Sequence, residues 1–414
     1  MRFRYILILA IIGTLTVATT SGYADTNNVS DSEVGTHRRG DSRREHSRKR
    51  DMTAEAETPE KVYADFKKRL ADAGLTYSID VSLLGQRGAP NGKGTPWQTQ
   101  YYGTANWDMF QSDVWGSGSA QVAYTAVRYW GMNAQNLGNR IGVISGVNDY
   151  TTNENNFDQL SYTHQLAGRL SSLSVTLGQF PMYNFDGGSY DANQQINFIN
   201  EALSQNASSS YPTASLGGYV TWTPNTKWSF AAGLQDAHNI SGETISLHKF
   251  GKGRFTSFAS ATYTPVIEGL GSGSYSLLLY YQPSVSAQPA NSTGWSLNLQ
   301  QAIGDKWAVF GRISGGTSQI ESIKQSYVAG VVCNNPFRRN ALDQIGIAGA
   351  VNKLSQTANG VGTRSVESVL EAYWALGVSN FMTITPDIQF YINPGANPDQ
   401  RTATVASIRA TVMF

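Results

Sequence analysis

Between residues 382 and 392 the chain alternates Met382, Ile384, Pro386, Ile388, Phe390 and Ile392 with Thr383, Thr385, Asp387, Gln389 and Tyr391. A period of two places alternate side chains on opposite faces of a strand. Such two-faced strands suit a soluble sheet lying on a core. They suit equally an outer-membrane barrel, where lipid lies outside and water within.

The same rhythm recurs through residues 75–414. Thr99, Tyr101, Gly103, Ala105, Trp107 and Met109 oppose Gln98, Gln100, Tyr102, Thr104, Asn106 and Asp108. Leu173, Val175 and Leu177 oppose Ser172, Ser174 and Thr176, and Trp295, Leu297 and Leu299 oppose Ser296, Asn298 and Gln300. Trp228, Phe230, Ala232 and Leu234 face away from Ser229, Ala231 and Gln235. In the run with Tyr275, Leu277, Leu279 and Tyr281, the polar face is interrupted by Leu278 and Tyr280. The polar faces cannot be packed dry without a dense hydrogen-bond network, because each buried unsatisfied group costs roughly 1–3 kcal/mol. The pattern therefore asks for water on that side.

Connections between these runs alternate in character. Tight turns at 223–227 and 304–306 contrast with long polar stretches at 182–211 and 317–326. Short turns on one rim and long loops on the other are expected of an outer-membrane barrel. The runs give about 16 strands, or 18 if residues 140–147 and 243–250 are also strands. Ahead of them, Thr58-Pro59-Glu60 opens a short helix over 59–74, since Thr caps a helix start and Pro suits its first position. Val62, Phe66 and Leu70 form a narrow apolar stripe and Gly74 ends the helix. No comparable helical stripe is found further on.

The first 24 residues change the picture most. Arg2 and Arg4 precede an apolar run at 5–18, and Ser21-Gly22-Tyr23-Ala24 supplies small residues before a cut. This reads as a secretory signal peptide, because the apolar run falls short of the about 20 residues that span a bilayer. Residues 25–58, with the cluster T-H-R-R-G-D-S-R-R-E-H-S-R-K-R, read as a basic disordered tether. One cysteine, Cys333, excludes an internal disulfide, and a net charge of +1 argues against nucleic acid as a partner. The 41 glycines and 21 tyrosines suit turns, barrel bends and interfacial belts.

At the end of the chain Ala406, Ile408, Ala410, Val412 and Phe414 form one face and Ser407, Arg409 and Thr411 the other. A last strand closing on phenylalanine looks like the signal read by the barrel assembly machinery, which makes Phe414 the contact expected for that partner. The expected fold is thus all-β, a transmembrane antiparallel barrel, in the outer membrane of a Gram-negative cell.

The stretches S-V-L-E-A-Y-W at 368–374, P-D-I-Q-F-Y-I-N-P-G at 386–395 and A-S-I-R-A-T-V-M-F at the terminus resemble the carbohydrate-selective outer-membrane porins of the OprB type. R-N-A-L-D-Q-I-G-I-A-G at 339–349 is similar to that family's strand carrying Arg, Asp and Gly, with Gly346 at the glycine. The resemblance covers 58–414. It implies sugars diffusing through a single-chain barrel whose inward-folded loops narrow the lumen, and it implies no cofactor.

A sugar pore works through weak, repeated contacts that replace hydroxyl hydration and release the solute again. Strand parity names the inward candidates: Glu371, Asp387, Gln389, Arg312, Arg409, Tyr373, Tyr102, Asp108 and Asn106. Phe310, Tyr391 and Asp80 share their face. Arg312 and Arg409, set against Glu371 and Asp387, would give a transverse field across the lumen. Pro386 removes a ladder donor and suggests a bulge that re-aims Asp387 or Gln389. Trp107, Trp222, Trp228, Trp295, Trp307 and Trp374 fall on the lipid side as an interfacial girdle. The partners expected are sugars and outer-membrane lipid, and the pattern is compatible with a homo-oligomer. Two rivals are a polysaccharide-binding or export component without free diffusion and a barrel-borne hydrolase. For the hydrolase, His164, His238 and His248 show no catalytic or metal-ligand spacing.

Overall fold

The computed structural model of the chain describes residues 59–414. The signal peptide and basic segment expected at 1–58 lie outside the described residues. Helix α1 (Pro59–Asp72) belongs to a unit of its own, with Lys68 and Asp72 paired one turn apart at 2.8 Å.

The second unit is a single sheet. Its strands are β1 (Leu75–Ala89), β2 (Trp97–Ser112), β3 (Gly116–Trp130), β4 (Glu154–Gln165), β5 (Leu173–Phe180) and β6 (Ser215–Asn225). Then follow β7 (Trp228–Asp236), β8 (Phe255–Tyr263), β9 (Val266–Ile267), β10 (Gly271–Gln282), β11 (Ser292–Ile303) and β12 (Trp307–Gly316). The last are β13 (Ile323–Asn334), β14 (Gln344–Leu354), β15 (Val366–Gly377), β16 (Met382–Ile392) and β17 (Thr402–Met413).

Every pairing is antiparallel, and among the described residues sixteen strands close on themselves, with the two-residue β9 as an extra pairing on β10. Closure joins β1 to β17, from Asp80 opposite Met413 to Ala89 opposite Thr404. The terminal residue completes the seam: the Phe414 N–H donates to the Ile79 carbonyl at 2.8 Å, and the Ile79 N–H donates back at 3.2 Å. A closed barrel leaves no edge strand with unpaired backbone, which is what a lipid environment demands.

The strand count is 16, not 18. Of residues 140–147 the first two end helix α2 (Ala134–Ile141) and the rest form no strand; the helix is capped by the Asn133 side chain and ended by Gly142 at φ 75°. Ala134, Leu137 and Ile141 recur at helical spacing and are buried, a stripe only two turns long. In the other doubtful segment, Leu247–Phe250 is a single helical turn.

The expected bulge at Pro386 is also absent. β16 keeps one continuous register with β17, including Pro386 opposite Ile408. On the β15 side the register is the same above and below the proline, and only the pairs between Asp387 and Ile384 are missing. The exposed, outward-facing Pro386 omits its bond to one neighbour without shifting the strand.

Antiparallel order puts the connections 131–153, 181–214 and 237–254 on one rim and the turns 113–115, 226–227 and 304–306 on the other. The outer wall is apolar, and near the short-turn rim Trp222, Phe230, Trp228 and Tyr263 stack with centroids 4.6–5.6 Å apart. Inside, the face is not uniformly polar. Ala348, Ala350, Val328, Val332, Val369 and Val405 point inward from β13 to β17 and bury themselves against α2 and against Phe198 and Leu203 of the long connection. Leu278 and Tyr280, the interruptions in the polar face of β10, pack in the same way against Phe180, Met182 and Tyr211.

Candidate functional site

The connection 181–214 folds into the barrel, and wall side chains hold it by its backbone. It carries helix α3 (Glu201–Ser204), capped by the Asn200 side chain. From β15, the Glu371 carboxylate accepts the Ile199 and Asn200 N–H groups at 2.5 and 2.9 Å. From β12, Arg312 donates to the carbonyls of Asp191 and Ala202 at 3.1 Å each and of Gln205 at 2.5 Å, and pairs with the Asp191 carboxylate at 3.1 Å. From β17, Arg409 donates to the Gln194 carbonyl and, at 2.8 Å, to that of Asn197.

The segment also contacts further strands around the wall. Gln194 donates to Gln100 of β2 at 2.7 Å, and Asn184 donates to Gln159 of β4 at 3.3 Å. Ser208 donates to Ser314 of β12 at 2.9 Å. It is therefore a crosspiece fixed at several points around the wall.

A second connection, 131–153, is laid against the first. Glu367 of β15 accepts the Ile144 and Ser145 N–H groups at 2.8 Å each, the Ser145 hydroxyl at 2.6 Å and the Gly395 N–H at 2.7 Å. Glu201 accepts the Gly146 N–H at 2.6 Å, and the Ser204 hydroxyl donates to Asp149, so the two inserted segments are latched to each other. Gln389 donates to the Val147 carbonyl at 3.0 Å and accepts from Tyr391 at 2.7 Å.

This arrangement revises the picture of a transverse field. Arg312, Arg409, Glu371 and Gln389 do point inward, but they are fully buried and engaged with inserted backbone. Hydrogen bonds from these charges to fixed amides and carbonyls offset much of the charge where it stands. Tyr373 is buried in an edge-to-face contact with Phe198 at 4.8 Å, and Asp387 is buried between its register partners Tyr373 and Ser407. On this side the inward polar groups mostly meet inserted backbone, while both Asp387 carboxylate oxygens and the Arg409 Nε and Nη2 are buried without a hydrogen-bond partner among the described residues.

Tyr102, Asn106 and Asp108 lie elsewhere, on β2, where the inward face is more open. Asn106 donates to Asp108 at 2.8 Å and accepts from Gln121 at 3.4 Å. Gln121 in turn accepts from Ser161 at 3.0 Å and Thr163 at 3.1 Å, and Thr163 meets Thr176 at 2.8 Å. A track of amides and hydroxyls thus runs from β2 to β5.

Acidic groups that parity alone did not single out face the same space. Asp158 accepts from Thr125 at 2.5 Å beside a register shift in the β3–β4 pairing. Asp149, Glu201 and Glu321 come from the inserted and neighbouring connections. Burial holds Asp149 well above the usual carboxylate range. Burial also pushes Glu201 up to about 7 against the pull of the Gly146 N–H, and Glu321 to about 7 with Glu201 beside it. Tyr183 of the crosspiece, 36% exposed, stands edge-on to Tyr211 at 5.6 Å. The signal for this crosspiece was the apolar set Phe198, Ile199, Ala202 and Leu203 inside a stretch read only as long and polar.

The strand with Arg339, Asp343 and Gly346 contributes support. Arg339 donates to Asp343 at 2.5 Å and to the Gly377 carbonyl at 3.0 Å, and Asp343 accepts the Gly377 N–H at 2.8 Å, which fastens the turn 335–343 to β15. A Cβ at Gly346 would lie 2.4 Å from the Tyr373 ring and 2.9 Å from that of Phe198, so glycine makes room for the crosspiece.

Residues 113–414 match a known family, described as "Carbohydrate-selective porin, OprB family". The chain belongs to the OprB porin family. It is 37% identical over 342 residues to Porin AaxA of Chlamydia abortus, covering 80% of this chain and 76% of that one. Porin AaxA of Chlamydia pneumoniae is 37% identical over 318 residues, covering 76% and 72%. The high-pH structure of Pseudomonas putida OprB superposes with a TM-score of 0.70 at 16% identity, covering 85% of this chain and 97% of that one. This OprB-family chain is accordingly an outer-membrane porin of a Gram-negative cell, a channel and not an enzyme.

Proposed function

We propose that this porin passes small carbohydrates by diffusion, past the crosspiece and along the polar track of β2–β5. The observation that carries the reading is the crosspiece itself. A sixteen-strand barrel is wide enough for an aqueous channel, and a segment tied to several walls narrows it to solute size while leaving amides, hydroxyls and carboxylates on the open side. Tyr102, Asn106 and Asp108 are the proposed pathway residues. Glu371, Arg312, Arg409, Gln389, Tyr373 and Asp387 are proposed as positioning residues that shape the path through the crosspiece. Export by a cleaved signal peptide and assembly through the Phe414 strand complete the proposal.

The test is solute entry into sealed liposomes. The refolded porin should admit a neutral monosaccharide and conduct in planar bilayers, whereas folded protein that excludes the sugar would overturn the reading.

One observation favours a second reading, in which positively charged small solutes pass as well. On the strand walls Asp80, Asp108, Glu154 and Asp158 face inward, and the inward cations Arg312 and Arg409 are both bound to the crosspiece. A path with excess carboxylate concentrates cations and repels anions.

A further inference from the structure

The long-connection rim has a sector, beside the β1–β17 seam, where five cations gather around one exposed carboxylate, Asp399, that none of them pairs with among the described residues. Arg87 projects from the outer face near the end of β1, and Lys93, Arg140, Arg364 and Arg401 come from neighbouring connections. Hydrogen bonds link the connections of this sector: Arg140 donates to the Lys93 carbonyl, Gln400 donates to the Ile141 carbonyl at 2.9 Å, and Arg364 donates to the Gln400 carbonyl at 3.1 Å. Among the described residues none of these five cations is within 4.0 Å of a carboxylate oxygen.

Five cations outnumber Asp399, and the excess positive charge is relieved by an anion among them. Two features locate that anion on the bilayer side of the wall. Arg87 has the outward parity of Leu83 on β1. Trp97 and Trp130, opposite each other at the ends of β2 and β3, are exposed on the same outer face. Tryptophan settles where acyl chains meet headgroups, and guanidinium groups match phosphate oxygens in paired hydrogen bonds.

We infer that this rim sector docks on the phosphorylated headgroups of the lipid leaflet in which the long-connection rim is set. Lumen residues take no part, so the inference is independent of which solute the pore carries.

The porin purified in detergent would be titrated with lipid A bearing both phosphates and with the same lipid after dephosphorylation, following unfolding temperature and bound lipid by native mass spectrometry. The variant R87Q/K93Q/R401Q removes exposed cations whose side chains make no hydrogen bond or ion pair among the described residues. Phosphorylated lipid should raise the unfolding temperature of the native chain, dephosphorylated lipid should not, and the variant should bind about tenfold more weakly. High salt should weaken the native interaction. Equal responses to the two lipids, or native affinity in the folded variant, would overturn the inference. So would binding of inorganic pyrophosphate without any response to lipid A, which would assign the cations to a soluble anion. Unchanged heat-modifiable migration establishes that the variant is folded, and Arg87→Gln alone should shift binding in the same direction.

Discussion

Glu371 faces the lumen of a pore, yet its two carboxylate oxygens are taken up by two backbone N–H groups of the crosspiece. Charge-assisted hydrogen bonds of this kind contribute roughly 1.5–3 kcal/mol each, so one side chain accounts for a sizeable part of the local hold. Glu371→Ala should leave a barrel that still folds and resists heat in detergent, with larger and noisier single-channel conductance and entry of larger solutes. Trp228→Ala, on the outer wall, should change none of these. Equal effects of the two substitutions on conductance would show that the Glu371 contacts do not position the crosspiece. Gly346 makes the complementary point about space. Gly346→Val should force the Phe198 and Tyr373 rings apart, and proteolysis within 181–214 should become faster while the strands stay protected.

At the scale of elements, the two inserted connections behave as one body because Glu201 and Asp149 join them. The pH dependence of that joint follows from Glu201, whose value rises from an exposed 4.5 to about 7 when buried in the latch. Between those values the latched form binds more protons than the released form, so acid favours latching and alkali favours release. The relative stability is fully present below pH 4.5 and is lost as the pH climbs through about 7. Hydrogen exchange of the Gly146 amide should accordingly show an opening equilibrium that grows from pH 4.5 to about 7 and levels off above it in the native protein. In Glu201→Gln that pH-dependent component should flatten. A native opening equilibrium constant over this range would contradict the assignment. Glu367, Glu371, Glu321, Asp149 and Arg312 also act within this region, so the transition should be broad.

For the whole molecule, the wall charges and the crosspiece together set charge selectivity. In a salt gradient across a planar bilayer, the sign of the reversal potential should report preference for potassium over chloride. Asp108→Asn with Asp158→Asn should move it toward zero without changing the fold. A chloride preference in the native porin would contradict the carboxylate-lined path. Closure of the barrel rests on the β1–β17 seam, and the Phe414 backbone supplies its last pair of hydrogen bonds. Removing Phe414 should slow assembly into lipid far more than it lowers the heat resistance of barrels already formed.

The sequence by itself determined the wall. Period-two alternation, the contrast of short and long connections and the terminal strand are local properties, and they led to an antiparallel barrel. The OprB resemblance was legible in the closing stretches for the same reason. Tertiary structure decided what fills the barrel. Parity states which way a side chain points but not what meets it, so residues read as bordering water proved to border the segment 181–214. The inward Ala348, Ala350, Val369 and Val405 are small or apolar because they pack against that segment, not because they face lipid. The partner of each buried wall charge comes from a connection far away in sequence, such as Ile199 for Glu371. Strand periodicity carries no information about where a connection folds.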